Sequence, residues 1–431
     1  MSAHPAEGLQ GLRDTFVGSA PSDPVLRGQR EHALERFLER GFPGTREEKW
    51  RYTNLRALTR RQFITAPDGS LSGEQLASCR LDDLDCHTLV FLNGRLLTEH
   101  SDSSLPAGLR ISSLEALDSE DENEEDARPA FRELNTAFAR DAQLIEVDAD
   151  TALAKPLYLL FISAREELPV MVHPRIELVA GSNSRFSLVE HHVSLDLDEN
   201  LVNTVTDINL AAGARLTHTR IQDASNKSFQ ICRVYVEQAR DSHYINHHIC
   251  LGSALARMDI DVSLREKGAE TELNGLMLGK GRQHMDTHTQ VDHLAPHTLS
   301  REVYRCILDE KSRGVFNGKV VVHKDAQKIE AHQASNNLLL SEHAEIDTKP
   351  ELEIYADDVK CSHGATVGQL DRNAMFYLLS RGIDRETARG LLVFAFADEV
   401  VAKVAESGIR RAMEKRIVGR LPDGDMLREF V

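Results

Sequence analysis

Three regimes of hydrophobic spacing follow one another along the chain. Between about Pro24 and Leu58 apolar residues recur three and four positions apart, at Leu34, Phe37 and Leu38. That spacing predicts an amphipathic helix packed by one face. From about Gln143 the period falls to two, in short runs such as "LIEVDAD", "PLYLLFIS", "PRIELVA" and "RFSLVEHHVSL", each broken by Gly, Asn or Asp. Such runs predict strands. Farther on, "GVFNGKVVVHKDAQ", "KIEAHQASNNLLLSEH", "AEIDTKPELEIYADD" and "VKCSHGATVG" each give a strand and then a polar turn, with turns at Asp325, Glu342 and Asp357 spaced 17 and 15 residues apart. Repeats of this kind predict stacked coils of about that length, a β-helix-like core whose terminal coils need a cap.

The last sixty or so residues return to helix. Asp371 is placed to cap "RNAMFYLLSR", Gly382 to end it in a left-handed conformation, and Asp384 to cap the helix that follows. That helix carries "LLVFAFA", apolar almost all the way round, so it needs burial on more than one side. Leu391, Leu392, Phe394, Phe396 and Val400 therefore lie against the chain's own core, under "IRRAMEKRIV", or against a partner protein. The expected layout is mainly β: residues 1–142 mostly helical, 143–370 a β-helix core, and 371–431 a helical domain. Within the first part, "LVFLNGRLL" predicts a hairpin turning at Asn93-Gly94.

Charge narrows the function. Among 431 residues, 51 Lys and Arg against 68 Asp and Glu leave a net charge of −17, which repels nucleic-acid phosphates and anionic membranes and favours protein partners. Seven of the carboxylates crowd between Asp118 and Asp126, the composition of a solvated loop or helix start. The chain has neither a run of eighteen apolar residues nor the basic-then-apolar start of a signal peptide, so a cytoplasmic protein is expected. The six cysteines, at 79, 86, 232, 250, 306 and 361, contain no CxxC pair and read as reduced thiols.

Catalytic signatures are scarce. "NGLMLGKGRQ" falls one residue short of a phosphate-binding loop and lacks its Ser or Thr, so it reads as a turn. GxSxG and HExxH do not occur. His284 and His288 span about 13 Å if extended, too far to share one metal, and with His293 and His297 they read as hydrogen-bonding strand residues. Cys361 and His363 differ. In an extended "VKCSHGAT", residues two apart project to the same face, while Gly364 and Ala365 leave room for another backbone or a ligand. One thiolate and one imidazole fall short of the four ligands of a zinc site or a cluster. The pair is either ordinary packing or part of a site completed from elsewhere.

Three stretches together resemble the SufB/SufD family of iron–sulfur cluster assembly proteins: "TREEKWRYTNLRAL", the run from "VDHLAPHTLSREVYRCILDEKSRGVFNGKVVV" through "ELEIYADDVKCSHGATVGQLD", and "FYLLSRGIDRETARGLLVFAFADEVV". The first looks like the SufD branch. The resemblance implies a right-handed parallel β-helix between helical N- and C-terminal domains, in a non-enzymatic subunit of a complex with a SufB-like paralogue and a SufC-like ABC ATPase. It further implies that the C-terminal helices, through Leu391, Leu392, Phe394, Phe396 and Val400, dock the ATPase. Cys361 and His363 would then be cofactor- and metal-binding residues at the interface with the paralogue, holding a transient iron or iron–sulfur cluster that the isolated chain does not bind tightly. Self-pairing without the paralogue is left open. Two alternatives of other classes are a stand-alone β-helix enzyme acting on carbohydrate and a metal-storage protein. The first sits poorly with 5% aromatic residues and a single tryptophan, Trp50.

Overall fold

The computed structural model describes residues 5–18, 24–82, 84–114, 129–164, 168–195 and 199–421. Its centre is a parallel β-solenoid of about seven turns, in which successive strands alternate between two sheets. In the first sheet Leu255 lies opposite His284 and His284 opposite Arg313, so each of these two turns takes 29 residues. The 15- and 17-residue spacing read from the sequence is therefore half a coil: one strand and one corner, with the following strand on the opposite sheet. The acidic stretch from Asp118 to Asp126 lies outside the described residues.

Strand Leu157–Ser163 shows why the runs read as they do. Leu157, Leu159 and Phe161 point into the solenoid, where they meet Ile176, Leu178 and Phe186. Tyr158, Leu160 and Ile162 point out, under the C-terminal helices. Buried on both faces, such a strand is apolar throughout, as parallel sheets require.

Helices cover the two outer faces and leave one end of the solenoid bare. Helices Pro24–Arg40 and Ala130–Phe138 set Leu34, Phe37, Phe131 and Leu134 against Leu201, Phe229, Ile231 and Leu255 of the first sheet. The "EEKWRYTN" segment is fastened to the same face: Trp50 lies over the Arg257 guanidinium at 3.9 Å, and the Thr53 hydroxyl donates to Asp286 at 2.5 Å. Arg257 in turn reaches Asp259 and Asp286. On the second sheet, helices Arg385–Val401 and Ser407–Val418 bury Val393, Ala397, Val400, Ile409 and Met413.

Local punctuation behaves as its chemistry dictates. Asn93 (φ 48°) and Gly94 (φ 82°) turn the hairpin that pairs Phe91 with Leu96. Asp371 accepts from the Asn373 and Ala374 amides, Gly382 sits at φ 85°, and Asp384 accepts from Glu386 and Thr387. One difference concerns the expected boundary at 142: strand His87–Leu92 already pairs with Leu157–Ser163, so the solenoid draws strands from upstream of it. "NGLMLGKGRQ" is a strand ending at Gly279 and a turn with Gly281 at φ 68°. Among the described residues no helix is long and apolar enough to cross a membrane.

Candidate functional site

The bare end is formed by the last strand of each sheet, Glu345–Ile354 and Val359–Gly368. Among the described residues each pairs with a strand on one side only. No residue of either strand is fully buried, whereas Ile329–Leu339, one rung earlier, alternates buried and accessible positions. Ile354, Tyr355 and Val367 are large apolar side chains left exposed there. An open edge of this kind is a template for another chain unless it is covered.

Cys361 and His363 stand on the second of these strands. Their in-register neighbours are Ala331 and Gln333, which are buried inside the preceding coil. Cys361 packs partly against Ile329, Ala331, Val320 and Val322, which places the odd-numbered residues of this strand on the inward face. Thiol and imidazole therefore share the mouth of the solenoid. Ser362 points the other way and meets His332 Nδ1 at 2.8 Å. A Cβ added at Gly364 would touch nothing within 4 Å, so the backbone beside the pair is open to approach.

Partial burial pushes the Cys361 thiol up from its usual pKa, so it is a thiol until a metal or base takes its proton. Among the described residues no three His, Cys, Asp or Glu side chains converge closely enough to hold a metal. Of the other histidines singled out in the sequence, His297 is exposed on a turn at φ 58° and three are engaged elsewhere. His284 meets Thr53 at 2.7 Å, His288 pairs with Asp286 at 3.0 Å, and His293 bonds Thr298 and Ser300.

Helix Arg385–Val401 is largely occupied by its own chain. Val400 is completely buried and has no surface to offer a partner. Leu391, Leu392, Phe394 and Phe396 are half-buried, and Arg305 stacks on Phe396 at 4.3 Å while also pairing with Glu399. Two exposed aromatics lie one helix earlier, where Phe376 and Tyr377 are 73% and 57% accessible. The sequence marks the ends of this helix, at Asp371 and Gly382, but not which of its apolar residues stay uncovered. The Trp50 ring is engaged by its own chain, with Arg257 over it at 3.9 Å and Phe131 against it at 5.5 Å. The groove of about 570 Å³ beside it is lined by arginines already paired, Arg132 with Asp207, Arg233 with Asp261 and Arg257 with Asp259.

Residues 161–396 match the family model "SUF system FeS cluster assembly, SufBD core domain", and residues 16–159 match "SufBD protein N-terminal region". The chain belongs to the SufBD family of iron–sulfur cluster assembly proteins. The iron–sulfur cluster assembly protein SufD of Escherichia coli is 33% identical over 401 residues, 92% of this chain and 93% of that one. An iron–sulfur cluster assembly SufBD family protein of Synechocystis is 33% identical over 92% of this chain and 91% of its own length. The chloroplastic protein ABCI7 of Arabidopsis thaliana is 29% identical over 96% and 90%. Within the SufBD core match, the solenoid mouth with Cys361 and His363 is the least covered part of the β structure.

Proposed function

We propose that this chain is a non-catalytic scaffold subunit that holds iron or a nascent iron–sulfur cluster, as substrate, at its junction with a SufB-type partner. The observation that carries this reading is the bare solenoid end bearing two ligand side chains, Cys361 and His363, on one inward face. Two ligands do not complete a site, and an uncovered sheet edge does not favour a monomer. A paralogous solenoid meeting this end supplies both missing parts: strands to pair with and further ligands. Iron binding then draws the proton from the Cys361 thiol, offsetting the cost that burial imposes on the thiolate.

A SufC-type ATPase, docked on the C-terminal helices, supplies the motion in this scheme. The surface it has to meet comprises Phe376, Tyr377 and the accessible parts of Leu391, Leu392, Phe394 and Phe396. Closure of the ATPase pair, passed through helix Arg385–Val401 to the sheet beneath, opens or reshapes the junction. This requires only a few kcal/mol of differential binding between two states.

The test is co-purification of the full chain with its paralogue and ATPase, followed by iron and sulfide analysis. Cys361→Ala and His363→Ala are expected to leave assembly intact while lowering iron content and cluster yield. Unchanged iron and cluster in both variants would rule out the ligand role.

A further inference from the structure

The inward row that ends at His363 continues into the solenoid. His363 lies beside Gln333, and Gln333 beside Glu302, on successive strands of the second sheet, about 4.8 Å apart per rung. Glu302 is 1% and Gln333 4% exposed. The Glu302 carboxylate accepts from the Thr289 hydroxyl at 2.5 Å and from Gln333 Nε2 at 3.2 Å. Gln333 is also confined from the opposite sheet, where a Cβ on Gly318 would fall 2.1 Å from Nε2. The amide nitrogen is thus committed to the coil behind it. The amide oxygen is buried and has no donor among the described residues, a costly state for a buried acceptor.

We infer that Gln333 is a positioning residue for His363: once a partner covers the mouth, Gln333 Oε1 accepts the imidazole N–H and holds the ring with its other nitrogen outward. The inference rests on the reading of His363 as an iron ligand and says how this chain prepares it. A histidine bound to metal through one nitrogen commonly donates its other N–H to a fixed acceptor, which sets the tautomer and raises the basicity of the ligand. Here the acceptor is neutral and already placed on the neighbouring rung. Glu302 and Thr289 act one step farther back, by orienting the Gln333 amide.

The experiment uses the full chain assembled with its SufB-type partner, in a Cys361→Ser background so that the thiol does not reduce the probe. Copper(II) alone is the probe, read by electron spin-echo envelope modulation. The quadrupole coupling of the remote imidazole nitrogen reports the hydrogen bond made by its N–H, and His363→Ala identifies the signal by its loss. Gln333→Leu is expected to shift that coupling and, with Cys361 intact, to weaken ferrous-iron binding about tenfold. Gln333→Met, unbranched and of similar length, replaces it where leucine does not fold. The exchanged pair Glu302→Gln with Gln333→Glu keeps an amide–carboxyl bond and an acceptor facing His363, and is expected to restore both readings. Identical couplings with and without Gln333→Leu in the Cys361→Ser background would overturn the inference. If His363→Ala removes no signal, the ligand reading itself fails and the inference falls with it, so the two failures are distinct.

Discussion

Two fully buried glutamates occupy the interior of the same solenoid, four strands apart in the second sheet, and their surroundings treat them in opposite ways. Around Glu190, burial alone would raise the carboxyl pKa, yet hydrogen bonds from His192 and His218 and the charge of Arg220 hold it well below the usual range. Thr206 donates to it across the interior at 2.9 Å, and Arg220 also reaches Cys232 Sγ at 2.7 Å. Among the described residues no such cation acts on Glu302. Burial pushes its pKa up to about 7, and hydrogen bonds from Thr289 and Gln333 oppose this only in part. The deep site is an ionised cluster on the second sheet, hydrogen-bonded across the interior to Thr206 and Cys232 of the first. The site near the mouth changes charge close to neutral pH, in the part of the interior that a partner would finish.

Removing the charge at the deep site is the harshest way to break this comparison. Glu190→Gln leaves the Arg220 guanidinium, 1% exposed, without its counter-charge, and breaking a buried pair in this manner costs roughly 3–5 kcal/mol. Chemical denaturation is expected to show a loss of that size. A loss under about 1 kcal/mol would mean that Glu190 is not ionised in the fold.

The same substitution at the other glutamate is expected to act with the opposite sign. Because the folded pKa of Glu302, about 7, lies above the unfolded one, its favourable contribution is complete below about pH 4.5 and is lost as pH rises to about 7. Glu302→Gln removes the titration and keeps a group able to bond Thr289 and Gln333. The variant should match the wild type near pH 4.5 and exceed it by about 2–3 kcal/mol at pH 8. Equal stability at pH 8 would place the Glu302 pKa in the ordinary range and remove the contrast with Glu190.

How much of this was legible beforehand follows from what each feature depends on. Strand periodicity, the Asn93-Gly94 turn and the Asp371 and Asp384 caps are local, and the residues announce them. Coil length is not local: "KIEAHQASNNLLLSEH" and "AEIDTKPELEIYADD" look like successive copies, yet they belong to opposite sheets, and only strand pairing shows that two of them make a turn. Cys361 and His363 stood out because two ligand types two residues apart must share a face of any strand. Gln333 and Glu302 did not, since their significance comes from register across coils 30 and 31 residues long. Val400 was misleading for a related reason. An apolar helix signals burial but does not say whether the cover belongs to the same chain, and here it does.

The gentlest test returns to the mouth. Val367 is 53% exposed on the terminal strand, in register with Asn337, and it loses little if replaced by a charged residue in the isolated chain. Val367→Lys is therefore expected to change stability by no more than about 0.5 kcal/mol, the usual range for surface substitutions. Its effect on assembly should be much larger, because a lysine on a sheet edge is a device by which proteins prevent edge pairing. Val179→Lys is the control, being 36% exposed on strand Arg175–Ala180, which lies far from the mouth in the first sheet and is paired on both sides. Pull-down with the SufB-type partner should fail for Val367→Lys and succeed for Val179→Lys, with both chains equally stable. If Val367→Lys still captures the partner, the bare end is not the surface on which the complex is built.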